Sequence, residues 1–232
     1  MNFFEIIYES LVLIFSFDPD LYNIIFLSLK TSGFATIIAS IFGIITGYYL
    51  SIYKSNLFRI MSIFINSLTG MPPVVVGLIV YFIFSKKGPL GIFEIIYTPT
   101  AMVIAQVIIV YPIISSLIRE SFNDFWFQYG DPIKSYNIPS YAGVYIFIKN
   151  SRYMVLTIIT LGFGRAISEV GAVIIVGGNI EHYTRVMTSA ISLETNMGNL
   201  QKAMSLGIIL ILLTMIINIF AYKFNNRLRY KK

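Results

Sequence analysis

A cation and an anion lie one helical turn apart in a stretch that is otherwise apolar enough to cross a membrane. Arg165 and Glu169 fall within residues 162–180, which read GFGRAISEVGAVIIVGGNI. The i, i+4 spacing predicts that both side chains project from one helix face and pair. A single charge at this depth costs about 2.5–3.5 kcal/mol, which pairing partly offsets. Two interpretations stay open: a structural ion pair that locks helices together, and an element of a gate or pathway.

Two adjacent prolines interrupt another apolar stretch. Pro72 and Pro73 remove two backbone donors and cannot continue a regular helix upstream, and Thr69 and Gly70 precede them. Because freed backbone groups cost several kcal/mol each in lipid, we expect this break to face protein or water. Proline also suits the first turn of a new half-helix, whose positive N-terminus attracts anions. The alternative is an ordinary proline kink in a structural helix.

Small residues recur every four positions in two of the apolar stretches. This spacing places them on one helix face, where a neighbouring helix can approach closely. The two series are Ala35, Ala39, Gly43 and Gly47, and Gly164, Ser168 and Ala172.

The composition indicates a polytopic membrane protein. The 232 residues are 56% hydrophobic and 12% charged, against about 25% charged in a soluble domain. The sequence contains no cysteine, no GxxxxGK[ST] P-loop and no GxSxG elbow, and its only histidine is His182, expected in a solvated loop. No His/Glu cluster points to a metal. We therefore expect no metal or other cofactor and no enzymatic activity in this chain alone.

Five apolar segments predict an all-α membrane protein with five transmembrane helices in one domain, 1–232. The expected spans are about 22–53, 60–84, 100–118, 153–176 and 203–222, with a polar segment at about 119–152. The first 17 residues hold Glu5 and Glu9 but no lysine or arginine. We interpret them as a retained interfacial helix and not as a cleaved signal peptide.

The basic residues favour one orientation. The loop with Lys54 and Arg59, the segment 119–152 and the C-terminal tail together carry 11 Lys/Arg, whereas the opposite loops carry four, namely Lys86, Lys87, Arg185 and Lys202. The positive-inside rule then predicts an outside N-terminus and a cytoplasmic C-terminus. The net charge of +6 is explained by this clustering at span ends, so nucleic acid is not an expected partner.

These features together resemble an ATP-binding-cassette (ABC) importer permease, specifically the tungstate (molybdate/tungstate) importer family. The resemblance covers nearly the whole chain. It is carried by GMPPVVVG at 70–77 with GPLG at 88–91 and by GFGRAISEVG at 162–171 continuing to VGGNI at 176–180. Further matching residues are Thr184, Arg185, Thr188, Ile191, Leu193, Glu194 and Thr195. The importers' cytoplasmic signature E-A-A-x-x-x-G corresponds in spacing to DPIKSYN, in which Asp131 replaces the glutamate and Asn137 the glycine.

The resemblance implies a type I ABC importer permease fold in the cell inner membrane. It also implies that substrate delivery, translocation and ATP hydrolysis belong to separate proteins. Two copies of this chain would form one pathway on a two-fold axis, a periplasmic or lipoprotein substrate-binding protein would deliver tungstate, and a separate ATPase dimer would drive alternating access. Asp131, Lys134 and Asn137 would contact the ATPase as a coupling helix. Thr69, Gly70, Pro72, Pro73, Arg165 and Glu169 would line or gate the pathway.

Several alternatives stay open for the function. An ABC importer of the same kind could transport molybdate, which has the same charge and shape as tungstate, or another oxyanion. From a different class, an ion-coupled secondary carrier would use Arg165 and Glu169 as a relay. A structural membrane subunit would have no transport role.

Overall fold

A computed structural model describes residues 3–16, 18–53, 55–135 and 140–229, and the described residues form helices with no strand. The all-α prediction is therefore confirmed. In chain order the helices are α1 (Phe3–Phe15), α2 (Pro19–Ile52), α3 (Asn56–Leu68), α4 (Pro73–Phe84), a short 3-10 helix (Gly91–Phe93), α5 (Pro99–Ser135), α6 (Ser140–Asn150), α7 (Arg152–Ile167), α8 (Gly171–Gly177), α9 (Met187–Asn196) and α10 (Leu200–Arg229).

Three of the described helices are long and apolar enough to cross a membrane. They are α2, the 99–127 part of α5, and the 200–221 part of α10. Two sharply bent pairs, α3 with α4 and α6 with α7, also meet the criterion when each pair is taken together, which gives up to five spans. The five predicted apolar segments thus correspond to a mixture of straight and broken helices.

Helices α2 and α5 form the most extensive pair in the described part of the chain, and small residues allow it. The predicted series on α2 is buried: Ala35, Ala39, Gly43 and Gly47. A Cβ atom at Gly47 would lie 2.5 Å from the Ser115 carbonyl oxygen, so only glycine permits this approach. The hydroxyls of Thr46 and Ser115 lie 3.0 Å apart across the same contact. The small-residue face of α2 is therefore confirmed as a helix-packing surface.

The N-terminal helix α1 packs against the start of α10. Ser10 is fully buried and donates to the Gln201 carbonyl oxygen at 3.0 Å, and the Gln201 amide hydrogen-bonds to the Glu9 carboxylate. These contacts give the predicted N-terminal helix a defined partner within the chain. Its placement at a membrane interface stays a prediction.

Two helices extend beyond the predicted spans. The polar segment predicted at about 119–152 begins on α5, which continues as one helix from Pro99 to Ser135. The charged residues after Ile118 sit on a helix that still buries Phe122 and Phe125 in the core, so apolar packing extends it beyond the apolar run. Similarly, α10 continues to Arg229, although its part that is long and apolar enough to cross a membrane, 200–221, lies close to the predicted span.

The close approach of α2 to α5 can be tested with matched alanine substitutions. Gly33→Ala adds a methyl group where no atom lies within 4 Å, and the helix propensity of alanine should stabilise α2 by about 0.5–1 kcal/mol. Gly47→Ala should instead destabilise the protein by about 1–3 kcal/mol, since its methyl group meets α5 backbone. Thermal unfolding of the detergent-solubilised protein measures both. Equal effects of the two variants would contradict the packing described.

Candidate functional site

The first helix break lies at the proline pair. Helix α3 ends at Leu68, α4 begins at Pro73, and the two axes meet at 106°. The backbone N–H of Thr69 donates to the Asn66 carbonyl at 3.2 Å, and the Thr69 hydroxyl donates to the same oxygen at 2.7 Å. Pro73 occupies the first helical position of α4. Proline is favoured there, because the backbone N–H that it lacks would have no acceptor within the helix. The new half-helix predicted from the two prolines is confirmed.

A second break lies where the sequence predicted one helix over about 153–176, and that prediction is wrong. Helix α7 ends at Ile167 and α8 begins only at Gly171. Ser168 closes α7, because its backbone N–H and its hydroxyl both donate to the Gly164 carbonyl oxygen, at 3.2 and 2.8 Å. A serine hydroxyl that competes for a helix carbonyl in this way favours a helix end.

The predicted stripe of Gly164, Ser168 and Ala172 is also wrong, since the break places these residues on different elements. Nothing lies within 4 Å of a Cβ built on Gly164, and Ser168 is exposed. Only Ala172 packs tightly: a Cβ on Gly77 of α4 would lie 2.8 Å from the Ala172 Cα.

Glu169 sits in the second break and joins three elements. One carboxylate oxygen accepts from Arg165 Nη1 at 2.8 Å, and the other accepts from the Ala172 backbone N–H at 3.3 Å. The Glu169 carbonyl accepts from the Thr188 hydroxyl of α9 at 2.8 Å. The expected i, i+4 ion pair is therefore present. Glu169 also receives a backbone donor at the start of α8, a role that the pairing argument did not predict.

The two members of the ion pair differ in burial. The Glu169 side chain is 3% exposed, whereas the Arg165 side chain is 36% exposed. The carboxylate is thus held inside the protein by hydrogen bonds, and the guanidinium keeps part of its surface available at the face of the chain.

A glutamine on α5 satisfies the end of α7. Gln106 is buried, and its Nε2 donates to the Ala166 carbonyl at 3.0 Å and to the Ser32 hydroxyl of α2 at 3.3 Å. Ala166 lies in the last turn of α7, and its carbonyl also accepts from the Glu169 backbone N–H at 3.2 Å, so Gln106 is an additional donor to it. Gln106 therefore ties the α7–α8 break to the α2–α5 pair.

The two breaks lie next to each other. A Cβ built on Gly171, the first residue of α8, would lie 2.7 Å from Val74 Cγ2 in the first turn of α4. Half-helices α4 and α8 then continue side by side, with Gly77 against Ala172. The structure thus brings together the proline pair and the Arg165–Glu169 pair, which are about 95 positions apart in the sequence.

Polar and backbone-rich surface is exposed around both breaks. Thr69, Gly70, Pro72 and Ser168 are exposed, and Arg165 is partly exposed. Such a surface is costly against lipid, so it is suited to face water or another protein chain. Chemically, it offers hydroxyl and guanidinium donors but no nucleophile–base pair.

The predicted coupling residues lie at and beyond the end of α5. Asp131 and Lys134 fall in the last turns of α5, and Asn137 lies outside the described residues. Helices α5 and α6, which we call the coupling hairpin, are held together by aromatic packing. Phe147 of α6 packs edge-on against Phe122 and Phe125 of α5, with ring centroids 5.1 and 5.6 Å apart.

A cavity of about 270 Å³ lies at the N-terminal ends of α2 and α10. Charged side chains of both signs line it: Asp20, Lys30, Glu181, His182, Arg185 and Lys202. His182 is solvent-exposed, as the sequence predicted, with Nδ1 3.7 Å from Asp20 Oδ1.

Beside this cavity, Lys202 pairs with the buried Glu194 at 3.2 Å. Burial raises the pKa of the Glu194 carboxyl, but hydrogen bonds from Asn199 and Lys202 and the charges of Lys202 and Arg185 outweigh it, so the pKa lies below its usual value.

Sequence reasoning missed Gln106, Thr188 and Ser32, the polar residues that support the second break. A buried glutamine within an apolar run was the available signal at position 106, since polar groups at membrane depth are costly and usually paired. Thr188 belongs to the residues that carry the family resemblance, but neither Thr188 nor Ser32 signalled a role at the break, because single hydroxyls are common in membrane helices and can bond to their own helix.

The different burial of Arg165 and Glu169 predicts unequal roles for their charges. Arg165→Leu should destabilise the protein by about 3 kcal/mol, because it leaves a buried carboxylate without its cation. The double variant Arg165→Leu/Glu169→Gln should recover most of this loss, since it removes both charges and keeps an oxygen for the Ala172 N–H. Thermal unfolding and the monodisperse fraction in size-exclusion chromatography measure both variants.

Glu181→Gln is the matched control. It also breaks an i, i+4 pair, at 2.9 Å, but the carboxylate that it neutralises is 59% exposed, and Arg185 keeps its charge near the buried Glu194. If Arg165→Leu is no more harmful than Glu181→Gln, the Arg165–Glu169 pair does not stabilise the break.

No protein-family model matches the chain. Curated proteins do match it along most of its length. The tungstate uptake system permease protein TupB of Peptoclostridium acidaminophilum is 37% identical over 213 residues, which cover 92% of this chain and 93% of the relative. The protein of the same name from Campylobacter jejuni is 31% identical and covers 93% of this chain and 90% of the relative.

A third relative matches a smaller part of the chain. A probable anion ABC transporter permease protein of Haloferax volcanii is 36% identical over 68% of this chain and 70% of the relative. The first two matches include both helix breaks and the segment between them, because they leave less than a tenth of the chain uncovered. The chain belongs to the family of tungstate uptake system permeases.

Proposed function

We propose that this multi-pass membrane protein is the permease subunit of an ATP-driven importer that carries tungstate into the cell. The observation that carries the proposal is the 37% identity with a tungstate uptake permease over 92% of the chain. The chain is a transport subunit and not an enzyme, and ATP hydrolysis takes place in a separate ATPase chain. This division agrees with the absence of a P-loop from the sequence.

The substrate is a divalent tetrahedral oxyanion, and tungstate is the best supported. Two relatives carry tungstate in their names, and a third is named for an anion. Molybdate has the same charge and shape, so a pathway that admits one admits the other. Selection between them, or against another oxyanion, would therefore rest with the binding protein that delivers the substrate.

The pathway runs beside the two helix breaks. Thr69, Gly70, Pro72 and Pro73 supply an exposed polar turn, and a second copy of this chain covers it across a two-fold axis. Arg165 keeps exposed surface next to this turn, whereas Glu169 is buried and holds α8 in place. We assign the pair a structural role, because a full arginine charge on the anion would slow its release and conduction needs weak binding.

The hairpin of α5 and α6 contacts the ATPase. Asp131, Lys134 and Asn137 occupy the position of the importers' coupling signature, and the aromatic contacts of Phe147 with Phe122 and Phe125 fix this hairpin to the membrane core. Because α5 continues without interruption from the core to Ser135, motion at the ATPase contact reaches the pathway directly.

The orientation proposed is an outside N-terminus and a cytoplasmic C-terminus in the cell inner membrane. It is supported by the excess of 11 over four basic residues on the segments assigned to the cytoplasm. A reporter that is active only in the cytoplasm should be active when fused after Lys232. A reporter active only after export should be active when fused before Met1 and inactive after Lys232. The reverse pattern would overturn the orientation.

Reconstitution tests the function. Proteoliposomes that contain this chain with its ATPase should take up tungstate only when binding protein and ATP are present. Asp131→Lys should abolish uptake and ATPase co-purification without loss of membrane insertion, since it reverses a charge at the proposed contact. Lys149→Glu, on the other helix of the hairpin and outside the signature, is the matched charge-reversal control.

Each alternative function gives a different result. An ion-coupled carrier would transport in liposomes without ATPase or binding protein, and a structural subunit would be dispensable for uptake by the other components. Survival of both transport and co-purification in Asp131→Lys would place the ATPase contact elsewhere on the chain.

A further inference from the structure

An open cavity of about 450 Å³ lies on the α3 side of the first helix break, between α3 and α5. Its polar lining consists of Asn66, Thr69, Ser116, Arg119, Glu120 and Asn123. The cavity thus starts at the exposed polar turn and follows α5 toward the hairpin with α6. It holds a second arginine, separate from the Arg165–Glu169 pair.

Arg119 has no anionic partner among the described residues. Its Nε is buried and makes no hydrogen bond, and its guanidinium is in none of the ion pairs of the described residues. Its backbone is fixed, because its carbonyl oxygen accepts from the Ser51 hydroxyl of α2 at 3.0 Å. A buried donor without an acceptor costs about 1–3 kcal/mol, and more when charged, and no anion among the described residues offsets the charge of this arginine. The Arg119 side chain also lines the cavity, so its guanidinium can meet an acceptor that enters from outside the chain.

Further donors surround the same space. The side chains of Asn66, Ser116 and Asn123 line the cavity and hydrogen-bond to no other described residue, so two amides and a hydroxyl are available. The Thr69 hydroxyl is already used within its turn. A guanidinium fork with neutral donors around it matches an oxyanion, which accepts hydrogen bonds on every side.

The cavity is nevertheless not strongly electropositive. The Glu120 carboxylate also lines it and is exposed, so the two formal charges of the lining cancel. A divalent anion there meets one attractive and one repulsive charge. Binding is therefore weak, which suits an anion that has to leave again.

We propose that Arg119, with Asn66, Ser116 and Asn123, forms a transit site for a tetrahedral oxyanion between the helix break and the coupling hairpin. This inference rests on the proposed function and adds to it a residue that contacts the substrate. A phospholipid phosphate offers the same chemistry to an arginine near the end of a span, so the test has to separate a free oxyanion from a lipid headgroup.

The natural absence of cysteine makes a direct test possible. Ile113 lines the cavity without a polar role, so Ile113→Cys introduces one thiol at the site. The full chain is placed in nanodiscs of phosphatidylcholine, where both faces are accessible. The rate of thiol modification is measured with an anionic and with a cationic methanethiosulfonate reagent, each with and without sodium tungstate.

The inference predicts how each variant changes the two rates and their response to tungstate. The ratio of anionic to cationic rates should fall roughly three- to tenfold in the Arg119→Gln background, since a unit charge that lines the same cavity is removed. Tungstate at millimolar concentration should slow modification at least twofold, and Arg119→Gln should abolish this protection. Arg119→Lys should retain the rate ratio, and Glu120→Gln should raise it and strengthen protection by tungstate.

An unchanged rate ratio in Arg119→Gln, or an absence of protection by tungstate, would overturn the site. So would protection that arises only when anionic lipid is added and that tungstate does not change, because the occupant would then be a headgroup. The proposed function is tested separately. If the reconstituted transporter fails to move tungstate while tungstate still protects the thiol, the function fails and the site stands.

Discussion

The structure depends on one constraint: backbone groups freed at a helix break within an apolar protein need partners. The two breaks meet this demand in different ways. The α3–α4 turn is satisfied locally, since Thr69 and its neighbours bond back to the end of α3. The α7–α8 break also has local bonds, from the Ser168 and Glu169 N–H groups to α7 carbonyls, but it is held in addition from a distance, by Gln106 of α5 and Thr188 of α9. The first break is therefore a local motif, whereas the second also depends on contacts with distant helices.

Close packing of small residues places these partners accurately. Helices in lipid gain little from the hydrophobic effect when they associate, so van der Waals contact and hydrogen bonds carry the specificity. Gly43 and Gly47 let α2 approach α5, and Gly77 lets α4 approach α8. Without these approaches, Gln106 would not reach Ala166 and Ser32 together. The glycines and the polar residues at the second break therefore form one arrangement.

The difference between the breaks explains what the sequence could predict. Proline acts on its own backbone, so Pro72 and Pro73 revealed the first break without knowledge of any neighbour. Ser168 and Gly171 are each tolerated inside a membrane helix, and the residues that stabilise the second break lie 19 and 60 positions away from the groups they bond. The ion pair was predictable from its spacing, but its burial was not. Likewise, Arg119 looked like an ordinary span-end cation until the fold placed it beside the first break.

The uninterrupted helix α5 has a mechanical consequence. Its 37 residues extend about 55 Å, well beyond the roughly 30 Å of hydrocarbon that a span has to cross. The helix has no break where it leaves the hydrocarbon, and it carries Gln106 and Arg119 at different depths, on either side of Pro112. A tilt of the whole helix by about 5° would shift one end by about 5 Å relative to the other. Such a tilt would move the support of one break and the cation beside the other together, whereas bending at Pro112 would move them separately.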